Sequence, residues 1–293
     1  MASTPVLPLG VHLAVFDGNS WSLIEGSFCM ADGEAEIPVA LRVYGGVLHC
    51  AVVEPPGGTG LAVYELDVDG LQVWPNLQLD PPPGATRLHG VALTGSDLYV
   101  VATVDGKESL YAISITDKEP SWEEVSPGTT DCRRSIGTAC ADLLKLNSVK
   151  GSPSMAGLRL RATMTAFQGR AWCAYDTGLV GNNLYWQTYA AKRWSPPYQF
   201  GNMVCGSDPA MCLYGDALYC FHRGEDGTQV RWSATEGLSW SVAHDTPMKT
   251  ISAPAVRAFR GKIYCAYVNW SAVPEGPPPA DDDAEVWPAV GHG

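Results

Sequence analysis

One strand phrase recurs along the chain, and its spacing constrains the fold more than any other feature. Clear copies are Phe167-Gln168-Gly169-Arg170-Ala171-Trp172-Cys173-Ala174-Tyr175, Tyr214-Gly215-Asp216-Ala217-Leu218-Tyr219-Cys220-Phe221-His222 and Phe259-Arg260-Gly261-Lys262-Ile263-Tyr264-Cys265-Ala266-Tyr267. Tyr44 to Cys50 is a fourth copy, and Gly95 to Val100 a fifth with valine in the cysteine position. Successive steps from Cys50 to Val100, Cys173, Cys220 and Cys265 are 50, 73, 47 and 45 residues. A period of about 40–50 residues that carries several short strands predicts an all-β chain built as a β-propeller.

Each unit reads as four strands. An apolar stretch turns at a glycine into the Leu-Tyr-Cys strand. A polar loop then leads to a second hairpin, such as Gln229-Val230-Arg231-Trp232 with Leu238-Ser239-Trp240-Ser241. Aromatic and β-branched residues alternate with polar ones between Gly/Asp turns, the period-two pattern of hairpins. The fifth unit lacks its second hairpin after Tyr267. A matching half-unit, His12 to Ser22, sits at the other end of the chain. The two halves predict five blades in one domain over 1–293, closed by N-terminal strands that complete the C-terminal blade and remove an open sheet edge.

The polar residues at one rim follow from the strand order. With strands A to D numbered outward from the axis, the A–B and C–D turns share one face. The longer B–C loops and the D–A connections share the other. Loops on a rigid scaffold are the usual home of function. The 73-residue step carries about 26 extra residues, within roughly 126–157, in a D–A connection on that loop face. The Pro-rich acidic tail, 271–293, leaves from the same face. Arg87, His89, Arg161 and Asp208 end A strands there, and Asp176, His222, Arg223 and Asn269 end B strands. These eight form the expected ligand-binding set. Arg42 and Arg257 share one offset on the axial strand, eight residues before Cys50 and Cys265. Basic groups in a narrow channel must pair with an acid, meet water or bind an anion.

Several function classes are excluded by composition. Net charge is −12, with no Lys/Arg run, which argues against nucleic acid and anionic membranes as partners. No run of about 18 apolar residues exists to span a membrane. Met1 to Leu9 lacks a secretory leader's pattern, so a cytoplasmic protein is expected, with secretion as the alternative. No P-loop, GxSxG or HExxH occurs, no metal site is expected, and no cofactor is implied. Cys50, Cys173, Cys220 and Cys265 recur where Val100 is accepted, so they read as small core residues. Cys132/Cys140 and Cys205/Cys212 are the candidate disulfide pairs.

The phrase Leu218-Tyr219-Cys220-Phe221-His222-Arg223-Gly224, with Val230-Arg231-Trp232-Ser233 and Leu238-Ser239-Trp240-Ser241, resembles repeats of sialidase-like and lectin-like β-propellers. That group includes tachylectin-type and fungal fucose-lectin propellers. Ser233 to Trp240 looks like an Asp-box turn with Thr235 in the aspartate position, and Asp17-Gly18-Asn19-Ser20-Trp21 is a shorter echo. The resemblance implies the propeller fold and a structural role for the C–D turn. A sialidase's three arginines, Tyr/Glu pair and aspartate find no match here, so that activity is not implied. Two functions remain. One is lectin-like binding of a glycan or polar small ligand on the loop face. The alternative is a cofactor-independent hydrolase, isomerase or cyclase with a single axial pocket.

Overall fold

The computed structural model describes residues 10–24, 37–54, 60–67, 72–94, 97–117, 119–126, 161–176, 183–191, 193–224 and 227–269. Most of the insertion and all of the tail, with Cys29, Cys132 and Cys140, lie outside them.

Strands β1 (Val11–Phe16) and β2 (Trp21–Ile24) open the chain. Blade 1 follows as β3 (Val39–Tyr44), β4 (Val47–Glu54), β5 (Gly60–Asp67) and β6 (Gln72–Leu79). Blade 2 comprises β7 (Ala85–Thr94), β8 (Asp97–Val104), β9 (Lys107–Ser114) and β10 (Glu123–Ser126). Blade 3 comprises β11 (Arg161–Phe167), β12 (Arg170–Asp176), β13 (Asn183–Ala190), β14 (Arg193–Trp194) and β15 (Tyr198–Val204). Blade 4 holds β16 (Ala210–Tyr214), β17 (Ala217–Arg223), β18 (Gln229–Thr235) and β19 (His244–Lys249). The chain returns through β20 (Ala255–Phe259) and β21 (Lys262–Val268), against which β1 pairs antiparallel, Leu13 opposite Ala266. The fifth sheet therefore runs β2-β1-β21-β20, and the molecule is a five-bladed β-propeller.

The repeated cysteine position is a seam position. Cys50 belongs to the apolar cluster between blades 5 and 1, and Val100 to that between blades 1 and 2. Cys265 packs between blades 4 and 5, and Cys220 between blades 3 and 4. All are buried, as is Cys173, and none of the four cysteines is in a disulfide. Burial pushes the Cys173 thiol up to about 12, and Cys220 and Cys265 also lie well above the ordinary thiol range. Cys205 and Cys212 are likewise outside any disulfide, so that pair does not form. Among the described residues no comparable cluster joins blades 2 and 3, the seam reached through the 126–157 insertion.

Two local features depart from the pattern of longer B–C loops and Trp-Ser outer strands. The B–C connection of blade 2, Thr103 to Glu108, is a tight hairpin: Asp105 and Gly106 both adopt left-handed φ and Val104 pairs with Lys107. The outer strands of blades 3 and 4 also lie further along the chain than the Trp-Ser phrase. The phrase is instead a bulge. Ser195 Oγ accepts from the Thr188 N–H at 3.0 Å while the Ser195 N–H donates to Thr188 O at 2.8 Å. Ser241 repeats both bonds with Ala234 at 3.0 and 2.8 Å. A serine hydroxyl thus replaces a ladder carbonyl, and the main outer strand resumes at Tyr198 and at His244.

The C–D turns of blades 4 and 5 each tie their blade to its predecessor. Asp17 Oδ1 accepts the N–H groups of Asn19 and Ser20 at 2.9 and 2.8 Å, and these bonds hold its carboxyl below the usual range. In blade 4 the Thr235 hydroxyl accepts one, from Gly237 at 3.0 Å. Gly18 (φ 100°) abuts Tyr214 of blade 4, and Gly237 (φ 111°) abuts Gln168 of blade 3. A Cβ at either glycine would stand 2.7 and 2.2 Å from those side chains, so only glycine fits.

Candidate ligand-binding site

The eight expected residues are distributed by blade. Arg87 and His89 lie on β7; Arg87 is exposed, and His89 Nε2 sits 2.7 Å from Thr103 Oγ1. Arg161 and Asp176 are cross-strand partners at the open end of blade 3. Arg223 and Asn269 meet the connection from blade 4 to blade 5 through Ile251 and Thr250, while His222 precedes Arg223 on β17 and Asp208 precedes β16.

At that connection most donors already serve the backbone. Arg223 donates from Nη1 to Ile251 O at 3.0 Å and from Nη2 to Gly206 O, while the Gly206 N–H donates back to Arg223 O at 2.7 Å. The Asn269 N–H donates to Gly10 O at 2.9 Å, and Asn269 also bridges to Thr250. Arg223 thereby fastens two connections of different blades to the end of β17. His222 is buried, and its Nδ1 finds no partner. Burial, with the nearby Arg231 charge, pushes its pKa down to about 4, so the ring is neutral at pH 7. Asp208 is half-buried.

A different set of side chains offers a surface. In blade 3, Trp172 stacks on Trp186 (5.1 Å between centroids, 15°), and Trp186 stacks on Tyr198 (4.7 Å, 27°). The row runs outward along the blade 3/4 seam from buried Trp172 to Tyr198, which is 45% exposed. Blade 4 repeats it in the blade 4/5 seam: Tyr219 meets Trp232 at 5.2 Å, and Trp232 stacks on exposed His244 at 4.5 Å and 24°. Register makes the rows equivalent, since Trp186 faces Tyr198 as Trp232 faces His244. Blades 1, 2 and 5 place Val63/Leu77, Leu110/Ser126 and Leu13/Ile24 there. The Arg231–Asp245 ion pair (3.0 Å) occupies the adjacent register position, on the opposite face of the blade 4 sheet. The sequence reading missed Tyr198 and His244. Their signal is the same four-residue offset from Trp194 and Trp240.

No protein-family model matches the chain, and no curated protein matches it. Similar solved structures include the GH43_1 enzyme from Xanthomonas citri complexed with xylose (10% identity, TM-score 0.48, covering 78% of this chain and 79% of that one). RS223-Beta-xylosidase aligns at 12% identity and TM-score 0.45, covering 78% and 84%. A six-bladed fungal lectin, Aleuria aurantia lectin, aligns at 13% identity and TM-score 0.39, covering 85% and 76%. Likenesses of this degree assign no family and no ligand; the sheet order itself makes the chain a five-bladed propeller.

Proposed function

We propose that this propeller is a lectin-like glycan-binding protein whose sugar platforms are the outward ends of the two aromatic rows. The observation that carries the reading is the Trp172–Trp186–Tyr198 stack, with its counterpart in blade 4. A sugar ring offers an apolar C–H face and a hydroxyl edge. An aromatic ring covers the first, and neighbouring polar groups meet the second. Stacking fixes Tyr198 and His244 before a ligand arrives, which lowers the ordering cost of binding. Two platforms on adjacent seams suit a multivalent glycan, where the second contact is intramolecular and adds avidity.

The test is retention on a glycan array for the parent protein, Tyr198→Ala, His244→Ala and the double variant. Each single change should weaken retention about tenfold, and the double change should remove it. Unchanged retention in the double variant would place the glycan elsewhere. Parent protein that turns over an array glycan would favour the enzyme with an axial pocket, which Arg161→Ala and His222→Ala would then probe on the loop face.

A further inference from the structure

We propose that the turn-face end of the axial channel is an anion site, in which Arg42 and Arg257 together hold a small oxyanion or the carboxylate or phosphate group of a ligand. The site is separate from the aromatic platforms, and the inference does not depend on them.

Five inner-strand residues hold equivalent register positions, each opposite the residue before the repeated cysteine or valine. They are Arg42 opposite His49, Ala92 opposite Tyr99, Thr165 opposite Trp172, Cys212 opposite Tyr219 and Arg257 opposite Tyr264. They therefore stand at one height in the ring, near the A–B turns. Three of the five are small, so the layer consists of two long cations among an alanine, a threonine and a thiol. Strand β20 packs directly on β3, which brings the arginines onto neighbouring strands.

Among the described residues no acid neutralises either guanidinium. The ion pairs among the described residues are His49–Glu65 and Arg231–Asp245, and neither includes these arginines. Among the described residues Arg42 makes one bond, from Nη1 to Leu93 O at a long 3.4 Å, and its buried Nε has no partner. Glu65, the acid on the same face of blade 1, is engaged by His49 at 3.6 Å. The Arg42 pKa is lowered by burial first and by the Arg257 charge second, so each cation raises the cost of the other. Cys212 faces the same layer as a protonated thiol, its pKa pushed up to about 12 by burial despite Arg257. A protein of net charge −12 has acids in excess, yet its inner ring holds two like charges. An anion between them would accept charge-assisted hydrogen bonds from both planar forks and relieve the repulsion.

Isothermal titration with inorganic phosphate at fixed ionic strength, using chloride as the balancing salt, tests the site. Thermal melts should run alongside. Phosphate should bind the parent protein and raise its melting temperature above the chloride control. Arg42→Gln and Arg257→Gln should each weaken phosphate binding about tenfold or more. In phosphate-free buffer they should leave the melting temperature equal or higher, because a like-charge contact has gone. Arg257→Glu supplies the missing anion from within, so it should raise the phosphate-free melting temperature and abolish phosphate binding. Tyr198→Ala should titrate with phosphate like the parent protein. Absence of a phosphate-specific response in the parent protein would overturn the site. So would phosphate binding that survives both glutamine variants, or glutamine variants that melt lower without phosphate, since arginines that stabilise the empty ring are structural.

Discussion

Arg223 and Arg257 are half-buried residues one blade apart, and their surroundings are opposite. Arg223 closes onto Ile251 O and Gly206 O, so its charge satisfies carbonyls that two blade connections would otherwise leave without donors. Arg257 meets no carboxylate among the described residues, and its charge instead lowers the Arg42 pKa from the neighbouring strand. The sequence presents both as basic residues near the ring centre. What separates them is whether the backbone has already engaged their hydrogens. The first is part of the scaffold, and the second retains capacity to bind.

The largest effect should come from breaking the scaffold side. Arg223→Ala removes charge-assisted bonds to two carbonyls, each worth roughly 1.5–3 kcal/mol, and should destabilise by about 3 kcal/mol or more. Arg257→Gln should stay within about 0.5 kcal/mol or stabilise. Chemical denaturation of the two variants measures the contrast directly, and equal losses would erase it.

Next is His222, neutral and buried beside Arg223. Its folded pKa of about 4 lies below the ordinary 6.5, so its contribution is fully present above pH 6.5 and is lost as pH falls towards 4. The linkage reaches at most about 3 kcal/mol. His222→Gln should flatten the stability profile between pH 6.5 and 4 relative to the parent protein. An unchanged slope would mean that the imidazole titrates without burial.

The smallest contrast lies in the C–D turns. Asp17→Ala loses two accepted N–H bonds at an exposed turn and should destabilise measurably, while Thr235→Ala loses one and should cost about 1 kcal/mol. The Asp17 loss should shrink in acid as its carboxylate protonates, while the Thr235 loss should not. Melts at pH 7 and pH 3 would separate them.

The blade plan was legible because it is written in short-range chemistry. The Cys-position phrase marks one seam contact per blade, and the half-unit at His12 to Ser22 pairs as its pattern requires. Outer strands were displaced because Trp194-Ser195 and Trp240-Ser241 carry the residue types of a strand while their serine hydroxyls make a bulge. Among the site residues, strand order located Asp208, His222, Arg223 and Asn269 at one end of their blades. It carried no information on Gly206 O and Ile251 O, the distant carbonyls that occupy Arg223. Tyr198 and His244 were hidden by the same displacement, since each follows the bulge. The equal offset of Arg42 and Arg257 was visible in the sequence; their lack of acid partners was not.

The pairing of β1 with β21 also governs the order of events during synthesis. The β1–β2 hairpin leaves the ribosome before any complete blade, yet its partner strand is made more than two hundred residues later. Until then the hairpin holds an unpaired edge, and blade 4 has no neighbour for the Phe221, Trp232 and Met248 side of its sheet. Closure across so long a loop is slow, and it comes last. The final seam thus acts as a checkpoint: a chain that stops before residue 262 exposes two adhesive surfaces at once, and quality-control machinery can recognise it from either.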